Sequence, residues 1–156
     1  MNNDGLLRRD LLVGSGVAAL GALLAPRASF AADLSEQEAA NLELVNAFCA
    51  AWSTRDLQQV TALMSDEAVY RMSETTPPVT GGAALIAQMQ PWVDTSSAIE
   101  FRVLESFAKG PMVVNHRVDR FSSATRPLTW EGVGVFFVQG GKIKEWFDYT
   151  ISVQRG

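Results

Sequence analysis

The chain has 156 residues, 47% of them hydrophobic and 19% charged, with a formal net charge of −4. That suffices for one domain with its own core, and an acidic balance without a basic run argues against nucleic acid as a partner, since phosphate binding needs clustered Lys and Arg. One cysteine excludes an internal disulfide, and with one histidine it leaves too little for a Cys/His metal centre.

Residues 1–31 read as an export signal and are set apart from the fold. Arg8 and Arg9 precede an uncharged apolar run from Leu11 to Ala25, and Ser29-Phe30-Ala31 supplies small residues at the two positions a signal peptidase reads. The run is short and rich in Gly and Ala for a membrane span. Arg8-Arg9-Asp10-Leu11-Leu12 resembles a twin-arginine signal, although Leu7 replaces the usual Ser or Thr and Val13 the usual Lys. An ordinary secretory signal and an uncleaved anchor are the alternatives. The expectation is a periplasmic or extracellular protein beginning near Ala32, with no stable membrane insertion after cleavage. The folded domain is then 32–156.

Asp33 to Ser53 has helical spacing: Ser35 and Glu38 form a capping box, and Leu42, Val45, Phe48, Cys49 and Trp52 make one apolar stripe. Cys49 on that stripe is read as packing. Asp56 caps a second helix with Leu57, Val60, Leu63 and Met64 on one face. Ala68 to Ser73 reads as a short strand, and Thr75-Thr76-Pro77-Pro78 as loop. A third helix follows Gly81-Gly82, carrying Leu85, Ile86, Met89 and Trp92, with Pro91 expected to end or kink it near Gln90. Strands are then expected over 98–108, 112–121, 128–138 and 142–153, the last pair joined by Gly140-Gly141. The order predicts an α+β fold: a curved antiparallel sheet with three helices from the N-terminal half on its concave face.

Charge is concentrated in two of these strands. Alternation puts Asn115, Arg117 and Asp119 on one face of the first, and Trp146 and Asp148 on one face of the second. His116 faces the other way and is read as a bystander. An arginine and two carboxylates among Val, Phe, Ile and Trp are costly to bury without compensation. Spacing alone leaves two readings open: the working end of a pocket, or a structural ion-pair network.

The chain then resembles a known family. The element order is that of the cone-shaped nuclear-transport-factor-2-like (SnoaL-like) fold, and the motifs are similar to those of the limonene-1,2-epoxide hydrolase family. Arg117-Val118-Asp119 matches its Arg-x-Asp. Gly141-Lys142-Ile143 followed by Trp146-Phe147-Asp148-Tyr149 matches its hairpin and Trp-x-Asp-Tyr, and Gly134-Val135-Phe136 matches the stretch before it. The family's Tyr-x-Asn stands here as Tyr70-Arg71-Met72, so methionine replaces the asparagine. The resemblance implies Asp119 as general acid on an epoxide oxygen, Asp148 as general base on water, Arg117 between them, and Tyr70 holding the water. It implies a small or medium apolar epoxide as substrate, water as nucleophile, no metal or cofactor, and a homodimer.

Met72, Met89, Asn115, Phe121, Trp130 and Trp146 are the expected substrate-binding residues. Asn115 is a candidate to replace the missing asparagine, and core packing is the alternative reading of Phe121, Trp130 and Trp146. Two other functions stay in view: a different acid–base enzyme on this fold, such as an isomerase or an epoxide-opening polyketide cyclase, and a non-catalytic exported module that binds a small molecule.

Overall fold

The capping-box pair sets the first helix. The Glu38 amide donates to the Ser35 hydroxyl at 3.2 Å, and the Ser35 amide donates back to the Glu38 carboxylate at 2.9 Å. Helix α1, Glu36–Ala51, follows. The computed structural model describes residues 34–156, so the export-signal reading of 1–31 lies outside the described residues. A 3₁₀ turn at Trp52–Thr54 carries the chain to Asp56, whose side chain accepts from the Gln58 and Gln59 amides and starts α2, Leu57–Thr61.

The strands are β1 Met64–Arg71, β2 Val79–Thr80, β3 Ala98–Lys109, β4 Met112–Ser122, β5 Leu128–Gln139 and β6 Lys142–Arg155, with α3 at Gly82–Thr95. They form one six-stranded sheet in the order β2-β1-β6-β5-β4-β3. The run β3 to β6 is an antiparallel meander, as the alternation predicts. β1 instead lies parallel to β6, with Tyr70 opposite Trp146. That pairing brings the early strand beside the Trp-x-Asp-Tyr segment.

Three boundaries differ from the sequence reading. Met64 opens β1 and does not extend α2. β1 starts earlier than expected, because Met64 pairs with Ile143. α3 runs past Pro91 to Thr95. Beyond the proline, Val93 is buried, the Gln90 side chain donates to Asp94 at 2.7 Å, and the Thr95 hydroxyl donates to the Pro91 carbonyl at 2.9 Å. Packing and local polar bonds hold the turn that a proline weakens.

The core lies between the helices and the concave face. Val45, Phe48, Cys49 and Trp52 meet inward residues of the sheet, including Phe101, Phe136 and Trp146. Phe48 sits edge-on to Trp146 at 4.9 Å between centroids, and Trp52 stacks on Phe101 at 4.6 Å. Bulges at Leu104 in β3 and Ile151 in β6 bend the strands, as an unpaired extra residue does. No helix among the described residues is long and apolar enough to cross a membrane.

Glu38 does more than cap. Its Oε1 accepts from the Gly110 amide at 2.8 Å, and Asn41 Nδ2 donates to the Gly110 carbonyl at 3.0 Å. One turn of α1 thus grips both backbone groups of the β3–β4 hairpin. The Gly110 amide, with help from Ser35, lowers the Glu38 pKa from 4.5 to about 2. A carboxylate held ionised contributes stability above its ordinary pKa and loses it as pH falls toward the folded value. The wild-type melting temperature is therefore expected to fall between pH 4.5 and 2 more steeply than that of Glu38→Gln. Parallel melting-versus-pH curves would show that this grip contributes nothing.

Candidate active site

Arg117 organises the concave face. It is fully buried, and each part of its guanidinium has a partner. Nε donates to both oxygens of Asp119 at 3.0 Å, Nη2 donates to Asp148 Oδ1 at 2.8 Å, and Nη1 donates to Asn115 Oδ1 at 3.2 Å. The rings of Phe101, Trp130, Phe136 and Trp146 surround the guanidinium carbon at 4.8–5.9 Å. Burial alone would lower its pKa, but Asp148 and Asp119 outweigh that and raise it, so the charge is fixed.

Reaching Asp148 requires crossing a strand. Arg117 is on β4 and Asp148 on β6, with β5 between them, so the backbones are roughly 10 Å apart. The residue of β5 opposite Asp148 is Gly134, and the residue opposite Arg117 is Gly132. A Cβ on Gly134 would collide with Arg117 Nη1, Phe136 and Asn115 Oδ1; one on Gly132 would collide with the Trp130 ring and the Tyr149 carbonyl. Two glycines in a strand interior are a local cost; here Gly134 leaves the channel through which the guanidinium passes, and Gly132 leaves room for the Trp130 ring that covers it. Gly132 was missed in the sequence, although the paired glycines in an otherwise regular strand were its visible signal.

The two carboxylates sit in unequal settings. Asp148 Oδ1 accepts from Arg117 and also from Trp146 Nε1 at 2.7 Å. Its Oδ2 has no partner among the described residues. Asp119 shares a single N–H between its two oxygens. Burial raises both pKa values; that of Asp119 goes to about 7, with Asp148 adding to the rise and Arg117 opposing it. The better hydrogen-bonded anion is Asp148, so burial favours the neutral form more at Asp119. Tyr70 stacks on Trp146 at 4.0 Å, and burial followed by the Asp148 charge raises its pKa well above 10. Its hydroxyl therefore stays a donor.

Asp119, Asp148, Tyr70 and Trp146 open on one cavity of about 280 Å³. Met72, Met89, Phe121 and Trp130 line it, and Trp92 and Phe101 join them. It is an apolar pocket with a few convergent polar groups at one end, the usual form of a small-molecule site. Asn115 is the correction. It is completely buried behind Arg117, with Oδ1 taken by the arginine and Nδ2 directed at Cys49 Sγ at 3.5 Å, so it does not reach the cavity. It braces the guanidinium and cannot replace the asparagine that Met72 displaces. His116 is a bystander here, paired with Glu131 at 2.9 Å on the opposite face.

Residues 45–146, well over half the chain, match the model of the SnoaL-like domain. The chain belongs to the SnoaL-like family. No curated protein matches it. Among solved structures, this SnoaL-like chain is similar to an epoxide hydrolase from Mycobacterium tuberculosis of the limonene-epoxide-hydrolase-like type. The two share 27% identity over 72% of this chain and 84% of that one, with a TM-score of 0.61. A candidate polyketide cyclase from Xanthomonas campestris shares the fold at 19% identity, covering 72% of this chain and 91% of that one, TM-score 0.63. A hypothetical protein with a ketosteroid-isomerase-like fold from Catenulispora acidiphila, solved with trimethylamine, does so at 17%, covering 70% of this chain and 87% of that one, TM-score 0.62. The SnoaL-like fold thus hosts several activities, and the side chains of the site must decide among them.

If the glycine channel fixes Arg117, Gly134→Ala is expected to destabilise the fold by about 1–3 kcal/mol, the usual cost of overpacking a core. Ala substitution at Gly110, where a Cβ has open space but φ is positive, serves as the comparison for backbone strain without a clash. Denaturant unfolding of both variants measures the difference; an unaffected Gly134→Ala protein would refute the channel.

Proposed function

We propose that this protein is a cofactor-independent epoxide hydrolase acting on a small or medium apolar epoxide, of the limonene-1,2-epoxide hydrolase type. The observation that carries the reading is the pair of unequal carboxylates on two arms of one buried guanidinium, both opening on an apolar cavity beside a phenol. An epoxide opens slowly near neutral pH unless its oxygen is protonated as the C–O bond breaks. Asp119, holding a proton up to about pH 7, is the donor. Asp148, ionised and with a free oxygen, takes a proton from water as that water attacks the ring carbon. The C–O bond of the ring breaks, a new C–O bond forms, and the product is a diol. Asp119 ends ionised and Asp148 protonated, and one proton exchange with solvent restores both. Tyr70 donates to the attacking water, and Arg117 keeps the two acids apart in charge state.

A second reading is kept because of Met72. It lines the cavity where an amide would otherwise hold the water, and its sulfur meets Gln88 Nε2 at 3.8 Å. A drier cavity favours opening by a hydroxyl of the substrate itself, the reaction of a cyclase or isomerase. The trio as purely structural is the third reading. There, Asp148→Asn costs stability, about 3–5 kcal/mol for a buried pair that loses a partner, with no activity to lose.

Two further expectations belong to the proposal. The domain is exported, as 1–31 suggests. It forms a homodimer through an exposed face of the sheet, where Phe107 on β3 and Ile151 on β6 are 58% and 59% exposed.

The test is diol formation by purified 32–156 from limonene oxide and cyclohexene oxide. Asp119→Asn and Asp148→Asn are expected to lower kcat/KM by about 10²–10⁴, the usual contribution of a positioned acid or base. Because the protonated form of Asp119 is the active one, the rate is expected to fall as pH rises through about 7, and Asp119→Asn should lose that limb. Absence of diol with both epoxides contradicts the hydrolase. Diol formation gained only in Met72→Asn selects the second reading.

A further inference from the structure

The cavity has a second charged end that the proposed chemistry does not use. Its inner end holds Asp119 and Asp148, and its middle is apolar; its outer end is lined by Arg155, the penultimate residue. Arg155 also lines an adjoining recess of about 130 Å³ together with Arg126, Trp92, Leu128 and Pro127. Trp92, Leu128 and Arg155 belong to both walls, so recess and cavity adjoin across these three side chains. The Arg126 guanidinium lies 4.7 Å from the centre of the ring of Trp92, a residue of both walls.

Neither arginine makes an ion pair among the described residues, whereas Arg117 and Arg120 both do. Glu74, on the neighbouring loop, is held by the Thr150 amide at 2.7 Å and lines neither space. Along β6, Asp148 and Arg155 are seven residues apart, roughly 20 Å in a strand. An elongated molecule therefore meets a carboxylate at one end and two guanidinium groups at the other. At the inner end the one cation, Arg117, is already committed to Asp119 and Asp148, whereas the outer end offers an anion two guanidinium groups without an ion pair among the described residues. Guanidinium donors match the geometry of a carboxylate or phosphate.

We propose that the ligand of this cavity is amphipathic: an apolar body whose reacting group faces Asp119 and Asp148, and an anionic head, a carboxylate or an equivalent oxyanion, held between Arg155 and Arg126. The proposal rests on the hydrolase reading for what happens at the inner end, but the recognition of the head stands apart from it. Arg155 and Arg126 are specificity-determining residues and take no part in bond making. A linear body on the order of ten carbons spans the apolar stretch.

Binding without turnover tests this separately from catalysis. The intrinsic fluorescence of Trp92, Trp130 and Trp146 in the wall reports occupancy by decanoate and by decan-1-ol, which share a body and differ in the head. At pH 8 and low salt the wild-type protein is expected to bind decanoate about tenfold more tightly, a difference of one strong charged contact. Arg126→Gln/Arg155→Gln should bring the two within about twofold while leaving decan-1-ol unchanged, and added salt should narrow the wild-type gap. Both arginines are exposed, so the variant keeps its fold, checked by its melting curve. Equal affinities in the wild type, an undiminished preference in the variant, or no saturable binding of either compound overturns the proposal. A preference that is lost in the variant, in a protein that makes no diol, would overturn the hydrolase reading alone.

Discussion

A guanidinium cannot be taken from water into a protein core unless nearly everything around it is arranged for it. Arg117 meets that condition with two carboxylates, one amide and four aromatic rings. The rest of the fold is shaped by the same need. The meander places Asn115, Arg117 and Asp119 on one face of β4. Gly134 on β5 leaves the passage open, and β6 returns Asp148 and Trp146 to its far side. Cys49 and Phe48 on α1 close the space behind it. Removing the arginine would leave two acids facing each other in an apolar wall, which only protonation could relieve.

The clamp also makes the acids unlike. A carboxylate that accepts two directed N–H bonds on one oxygen is stabilised as an anion; one that shares a single N–H is not, and burial then favours its neutral form. The difference arises from the Trp146 indole and from the direction in which the arginine forks, not from the two aspartates themselves. On the proposed chemistry this asymmetry assigns the acid and the base before any substrate arrives. The aromatic stack of Phe136, Trp146 and Tyr70 holds the indole and the phenol in place, so core packing and site geometry are one structure.

Much of this was legible in the sequence. Alternation alone placed Arg117 with Asp119 and Trp146 with Asp148, and the capping residues and Gly140-Gly141 marked the ends of their elements correctly. What was not legible depends on contacts between distant segments. The parallel pairing of β1 with β6 brings Tyr70 to Trp146, and no local pattern encodes it. Asn115 shares the face of Arg117, as the alternation requires, yet lies one pleat deeper under α1, where Cys49 and the guanidinium occupy both ends of its amide. Face is set by period, but depth is set by what covers the strand. Pro91 gave a boundary that packing around Val93 overrode.

The central claim is that Asp119 stays neutral beside a permanent cation because burial and the Asp148 charge outweigh that cation. Infrared spectroscopy of the carboxylic C=O stretch, followed as a function of pH in H₂O and D₂O, reads this directly. A protonated carboxyl band is expected to titrate near pH 7, to shift in D₂O, and to vanish in Asp119→Asn. A spectrum in which no carboxyl remains protonated above about pH 5 would contradict the account.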